Sequence, residues 1–424
     1  MNASLSPAES AALAAIDETA IAESLLALLA IPSVTGSAAE SDAQHWLARR
    51  LERLDLDVDL WSMDLPDLRA QPDFPGSEAP RDEAWGLVAT TTSGTDGPAV
   101  ILQGHVDVVP PGDPARWIGD PFTPRTVGDI VHGRGACDMK AGVVANLAAL
   151  EAIRASGVRL RGRVAAHFVV SEEDGGLGAY GTLRRGHTGD ACVITEPTSG
   201  RLVTANAGSV TFRIEVSGQA THGSTRDAGV SAFDAYLPIH HALTRLETDR
   251  NTDPDPLFSQ HRLPYALSVG TVHTGDWASS VPDLLVAEGR LGVRLDEDPA
   301  EAKSQFEQRV AETCASDPWL RNHPATVTWP GGHFASGKLP AGNPLRDLVS
   351  TAYADATTQP RPEECGAPYG SDLRLYAAAG IPTLQFGPGD VRLAHGPREQ
   401  VPMIEVLAVT RTLVLTVLRA AGTR

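Results

Sequence analysis

Two histidines and several acidic residues of this chain fall just past the ends of short apolar stretches. Ala99-Val100-Ile101-Leu102 leads into Gly104-His105-Val106-Asp107, and Gly133-Arg134-Gly135-Ala136-Cys137-Asp138-Met139-Lys140 follows. Residues 164–170 run into Ser171-Glu172-Glu173-Asp174-Gly175-Gly176, and residues 191–194 into Thr195-Glu196-Pro197-Thr198. Near the far end, Thr383-Leu384-Gln385-Phe386 precedes Ala394-His395-Gly396-Pro397-Arg398-Glu399. A His-x-Asp pair at a strand end presents one imidazole to a metal while a carboxylate orients it. Imidazoles with carboxylates make a ligand set suited to zinc, cobalt or manganese. Cys137, although next to Asp138, reads as a small buried filler.

Such a site needs strands that deliver these residues to one edge, as open α/β sheets do at the carboxyl ends of their strands. Helical spacing over 21–29 is ended by Pro32, a second helix is expected over 41–54, and a third directly follows Asp138 over 143–150. Strands alternate with them, which predicts an α/β domain on a mixed sheet with helices on both faces. Residues 66–80, rich in Pro and Asp, read as a surface loop. Past Gly208 the pattern changes. A half-exposed strand over 210–216, a helix over 231–246, strands at 266–272 and 284–293, a helix over 299–314 and a strand at 325–328 give the order β-α-β-β-α-β. We therefore expect an inserted α+β domain of four strands and two helices over 207–330, set into a metal-binding catalytic domain made of 1–206 and 331–424.

The 424 residues, 42% of them hydrophobic, are enough for two domains with sizeable cores. A formal charge of -18 argues against nucleic acid or an anionic membrane as partner. The N-terminal stretch is acidic rather than basic and no run reaches the ~18 apolar residues of a bilayer span, so neither a secretory signal nor a membrane helix is expected. Four scattered cysteines without paired spacing fit a reduced, cytoplasmic setting. No Gly-x-Ser-x-Gly elbow follows a strand, which speaks against a serine hydrolase.

In this order the motifs resemble the M20 metallopeptidase and deacylase family, which includes acetylornithine deacetylase, succinyl-diaminopimelate desuccinylase, carboxypeptidase G and aminoacylase-1. The resemblance covers residues from about 25 to about 418. It implies a zinc-exopeptidase-like catalytic domain, with the insert as a lid and dimerisation domain of a homodimer. It also implies two divalent ions, zinc before cobalt or manganese. Matched residue by residue, Asp138 would bridge the ions, His105 and Glu196 complete one, and Glu173 and His395 complete the other. Asp107 would orient the His105 ring and Glu172 act as general base. His222, in Gly218-Gln219-Ala220-Thr221-His222-Gly223-Ser224, would steady the oxyanion. Arg290 or Arg294, expected on one strand and on one face of it, and the turn Gly370-Ser371-Asp372 would hold substrate. Two positions depart from the pattern: Ser279 stands where many relatives have asparagine, and Ala141 where glycine is frequent. The implied reaction is amide hydrolysis of an N-acylated amino acid or related amine by metal-activated water, as in the acetylornithine deacetylase and succinyl-diaminopimelate desuccinylase branch. A dipeptidase or carboxypeptidase with the same metals is the alternative. A non-catalytic binding protein on this fold is a third, against which stands the presence of every ligand and the base.

Overall fold

The computed structural model describes residues 5–92, 94 and 96–424. The chain forms two compact units, one of Met1–Thr204, Lys338–Cys365 and Leu375–Arg424, the other of Ala205–Gly337 and Gly366–Arg374.

In the first unit the strands lie in the order Leu56–Ser62, Trp85–Thr91, Arg163–Val169, Ala99–His105, Ala191–Ile194 and Thr383–Gln385. The last four are parallel neighbours, and the first two join them antiparallel, so the sheet is mixed. Val100, Ile101 and Leu102 are wholly buried, as expected of a parallel centre covered on both sides. The helix Lys140–Ala155 is buried along most of its length and packs against Glu18–Leu29 and Met403–Ala421. Two glycines allow its close approach. A Cβ at Gly142 would stand 2.1 Å from the Thr195 carbonyl oxygen, and one at Gly104 would press on Val143 at 3.0 Å. With Gly104 turned toward that helix, strand alternation sends His105 to the opposite side.

Residues 66–80 are more than a surface loop. Asp64 accepts the Asp67 N–H and Pro66 occupies the first turn, so Leu65–Arg69 is a short helix. The backbone N–H groups of Glu78 and Ala79 then donate to Asp174 at 3.1 and 2.8 Å. This fixes the segment to the acidic loop that follows Val170.

The second unit carries the antiparallel order Leu267–Thr274, Leu284–Val293, Gly208–Ser217, Thr326–Thr328, with His333–Phe334 added beside Gly208–Ser217. Inward residues Val210, Phe212, Ile214 and Val216 alternate with half-exposed ones and pack under the helices Ala232–Arg250 and Pro299–Ser316. Phe212 and Phe306 meet with ring centroids 4.7 Å apart. The unit is wider than 207–330 because later chain joins it. Ala207 N–H donates to the Ala367 carbonyl at 2.9 Å, and Gly366 is so close to Phe258 that a Cβ would lie 2.8 Å from the ring.

Candidate metal centre

His105 ends its strand with its side chain fully buried. Its Nδ1 lies 2.9 Å from the Asp107 main-chain carbonyl and 3.5 Å from Asp107 Oδ1. A carbonyl only accepts, so Nδ1 carries hydrogen and Nε2 is left to face Asp138 Oδ1 at 3.2 Å and Glu196 Oε1 at 3.9 Å. The closer orienting contact is thus the main chain of Asp107 rather than its carboxylate. That carboxylate accepts the N–H groups of Glu172 and Glu173, both at 3.2 Å, and the Thr35 hydroxyl at 3.1 Å. One buried acid therefore ties the His105 strand end to the Glu172-Glu173 loop.

Asp138 stands just ahead of Met139, the N-cap of the helix Lys140–Ala155, and splits its two oxygens between the histidines. Oδ1 faces His105, while Oδ2 lies 3.4 Å from His395 Nε2, which is itself 3.1 Å from Glu173 Oε2. His395 adopts a left-handed backbone, φ 60°, and its side chain is 54% exposed against 11% for Asp138, so the cluster opens on the His395 side. The ligand atoms of His105, Asp138 and Glu173 lie within 4.8 Å of one another, and so do those of His105, Glu172 and Glu196.

Burial alone would lower the His395 imidazole, but hydrogen bonds and charge from Asp138 and Glu173 push it up to about 11. His105 is likewise raised against burial by Asp107, Asp138 and Glu196. Burial would raise the Asp138 carboxyl, yet the two imidazoles hold it well below the usual carboxylate range. Asp107, Asp138, Glu172, Glu173 and Glu196 thus crowd around two imidazoles. Such an excess of carboxylates in a low-dielectric site calls for cations. The protons on the imidazoles stand where divalent ions fit, and metal binding would release them. The donor set and the divided oxygens of Asp138 fit a pair of ions.

Several supporting residues were not visible as local motifs. Arg81 is buried between Glu40 and Asp174, 3.1 Å from each, and Glu40 accepts the Ser171 N–H at 3.2 Å. Replacing Arg81 with alanine leaves two buried carboxylates without their cation and is expected to destabilise the protein by about 3–5 kcal/mol; urea unfolding of R81A measures it. Glu399 and Arg134, which do stand inside the His395 and Asp138 motifs, form another buried pair beneath Asp138.

The remaining candidates lie in the second unit. His222 is exposed, its Nδ1 lying 2.7 Å from Ser224 Oγ and 3.2 Å from the Ser224 N–H. Ser279 gives its carbonyl to Gly223 N–H at 2.6 Å. Arg290 lies on Leu284–Val293, its Nε donating to Ser209 Oγ at 2.6 Å and its Nη2 to the Pro368 carbonyl at 3.4 Å. Arg294 falls one residue past that strand, so alternation does not place it on the face of Arg290. Its guanidinium caps the helix Ala232–Arg250 through the carbonyls of Arg250 and Asp249 at 3.1 and 3.3 Å. Gly370 packs on Phe334, while Ser371 and Asp372 are buried, Ser371 Oγ accepting the Leu373 N–H at 3.2 Å.

Residues 101–420 match the model of Peptidase family M20/M25/M40. The chain is 26% identical over 421 residues to an N-formyl-4-amino-5-aminomethyl-2-methylpyrimidine deformylase of Halalkalibacterium halodurans, covering 92% of this chain and 93% of the relative. It is 29% identical to a succinyl-diaminopimelate desuccinylase of Leptothrix cholodnii, covering 85% and 88%. Among solved structures, a dipeptidase from Saccharomyces cerevisiae superposes with a TM-score of 0.78 at 14% identity, covering 97% of this chain and 98% of that one. Human carnosine dipeptidase 1 does so with a TM-score of 0.76 at 15% identity, covering 98% and 99%.

Proposed function

The chain belongs to peptidase family M20/M25/M40, and from that premise we propose that this metal-dependent amidohydrolase is a deacylase, freeing the amine of a small N-acylated amino acid or related compound. The observation that carries the reading is Asp138, with one oxygen toward His105, whose ring also faces Glu196, and the other toward His395, whose ring also faces Glu173. Two relatives that match nearly full length are named for removing a formyl and a succinyl group, which favours an acyl amine over a peptide.

We assign His105 and Glu196 to one divalent ion, Glu173 and His395 to the other, and Asp138 to both, with zinc the ion that imidazole and carboxylate suit best. When bound, such ions lower the pKa of water toward about 7 and polarise the scissile carbonyl. Glu172, 7% exposed, takes the proton of the attacking water and delivers it to the leaving nitrogen. His222 is our candidate for steadying the developing oxyanion. For a substrate carboxylate we keep both Arg290 and Arg294 as candidates, the first held by Ser209 and Pro368 and the second by a helix end.

The assembly we infer is a homodimer through the second unit. Leu267–Thr274 is a terminal strand of its sheet with Val272 exposed, and nearby Trp277 is 73% exposed. Cys137, Cys192, Cys314 and Cys365 are all buried, and their scattered spacing along the chain supports a reducing, cytoplasmic setting. Among the described residues no helix is long and apolar enough to cross a membrane.

The test is amine release from N-formyl, N-acetyl and N-succinyl amino acids and from dipeptides by the zinc-loaded enzyme. We expect kcat/KM for one acyl class to exceed that for every dipeptide. A preference for dipeptides would make the protein a peptidase with the same site.

A further inference from the structure

We propose that Glu399, clamped by Arg134, is the positioning residue that sets the Asp138 carboxylate between His105 and His395. The inference rests on the reading of Asp138 as the ligand shared by two ions. Glu399 is 1% exposed and divides its oxygens between two tasks. Oε1 accepts the backbone N–H groups of Cys137 and Asp138, both at 3.2 Å, and Oε2 pairs with Arg134 Nη1 at 2.5 Å.

Arg134 is equally buried and reaches two further segments. Its Nη2 donates to the Pro110 carbonyl at 3.4 Å, and its guanidinium lies 5.1 Å from the centre of the Trp117 ring. Glu399 in turn leads into Gln400–Pro402, which pairs antiparallel with Ile130–His132, just before the turn that carries Arg134 and Asp138. The pair therefore joins the chain just after His105, the turn bearing Asp138 and the loop bearing His395. An N–H of Asp138 held by a fixed carboxylate restricts the backbone from which the bridging side chain projects. Groups that orient metal ligands in this way act on metal affinity as well as on rate.

The experiment compares zinc affinity, by competition with a chromogenic chelator, for wild type, Glu399→Ala and Asp138→Ala, with urea unfolding of the metal-free proteins and kcat and KM recorded alongside. E399A is expected to bind zinc about 10–100-fold more weakly while folded, with the loss of activity falling on kcat. If E399A does not fold, Glu399→Gln decides. Its amide keeps the volume but offers one oxygen where Arg134 and the two N–H groups use two, so we expect a loss of about tenfold within the same range. Wild-type zinc affinity in a folded E399A, or in E399Q where E399A fails, overturns the proposal. Retention of both ions by D138A would instead overturn the assignment of Asp138 itself.

Discussion

Glu172→Ala is expected to lower amide hydrolysis by about 10²–10⁴-fold, the range for loss of a general base, while zinc content stays at the wild-type value. The second half of that expectation follows from the loop. Alanine keeps the main-chain N–H that donates to Asp107 Oδ1, and the neighbouring N–H groups of Ser171 and Glu173 remain held by Glu40 and Asp107. Glu173 therefore keeps its place beside His395 when the Glu172 side chain is gone. The measurement also separates two roles that proximity leaves open, because the Glu172 carboxylate lies within ligand range of His105 and Glu196. Elemental analysis of E172A showing one ion fewer than wild type would make Glu172 a ligand rather than a base.

Asp138→Ala is expected to have the opposite signature, losing at least one zinc equivalent and lowering activity on the order of 10³-fold or more, since the metal's several kcal/mol of transition-state stabilisation goes with it. Each Asp138 oxygen faces a different imidazole, so its loss takes a carboxylate oxygen from beside both histidines. Zinc content and kcat measured together on D138A check this. Two equivalents with near wild-type turnover would mean that the two His/Glu pairs do not share a ligand.

The side chains that the structure gathers into this cluster were marked in the chain because each candidate ligand sits next to an apolar strand or a glycine-bounded turn, as His105 does after Val100-Ile101-Leu102 and Glu172-Glu173 before Gly175-Gly176. Local pattern also carried the β-α-β-β-α-β order of the second unit, where Gly208–Ser217 alternates in burial residue by residue. What stayed hidden depends on contacts between distant segments. Glu40 and Arg81 look like ordinary surface charges in sequence, and only the fold buries them against Asp174 and Ser171, while Glu399, although inside the His395 segment, shows its contact with the Asp138 turn only in the fold. The part played by Asp107 was half legible: its spacing from His105 placed it beside the ring, but the main-chain carbonyl makes the closer contact. Arg294 shows the limit of periodicity, since the strand ends at Val293 and the side chain turns to a helix end instead. The recruitment of Gly366–Arg374 into the second unit had no local signal, because it is made by contacts with distant residues such as Ala207, Phe258 and Arg290.

The most direct test of the account is a stepwise zinc titration of chelator-stripped enzyme, following amine release from its preferred N-acyl substrate. Negligible turnover before zinc, rising to full activity as two equivalents per chain bind, is the predicted result. Turnover that survives complete removal of metal would contradict it.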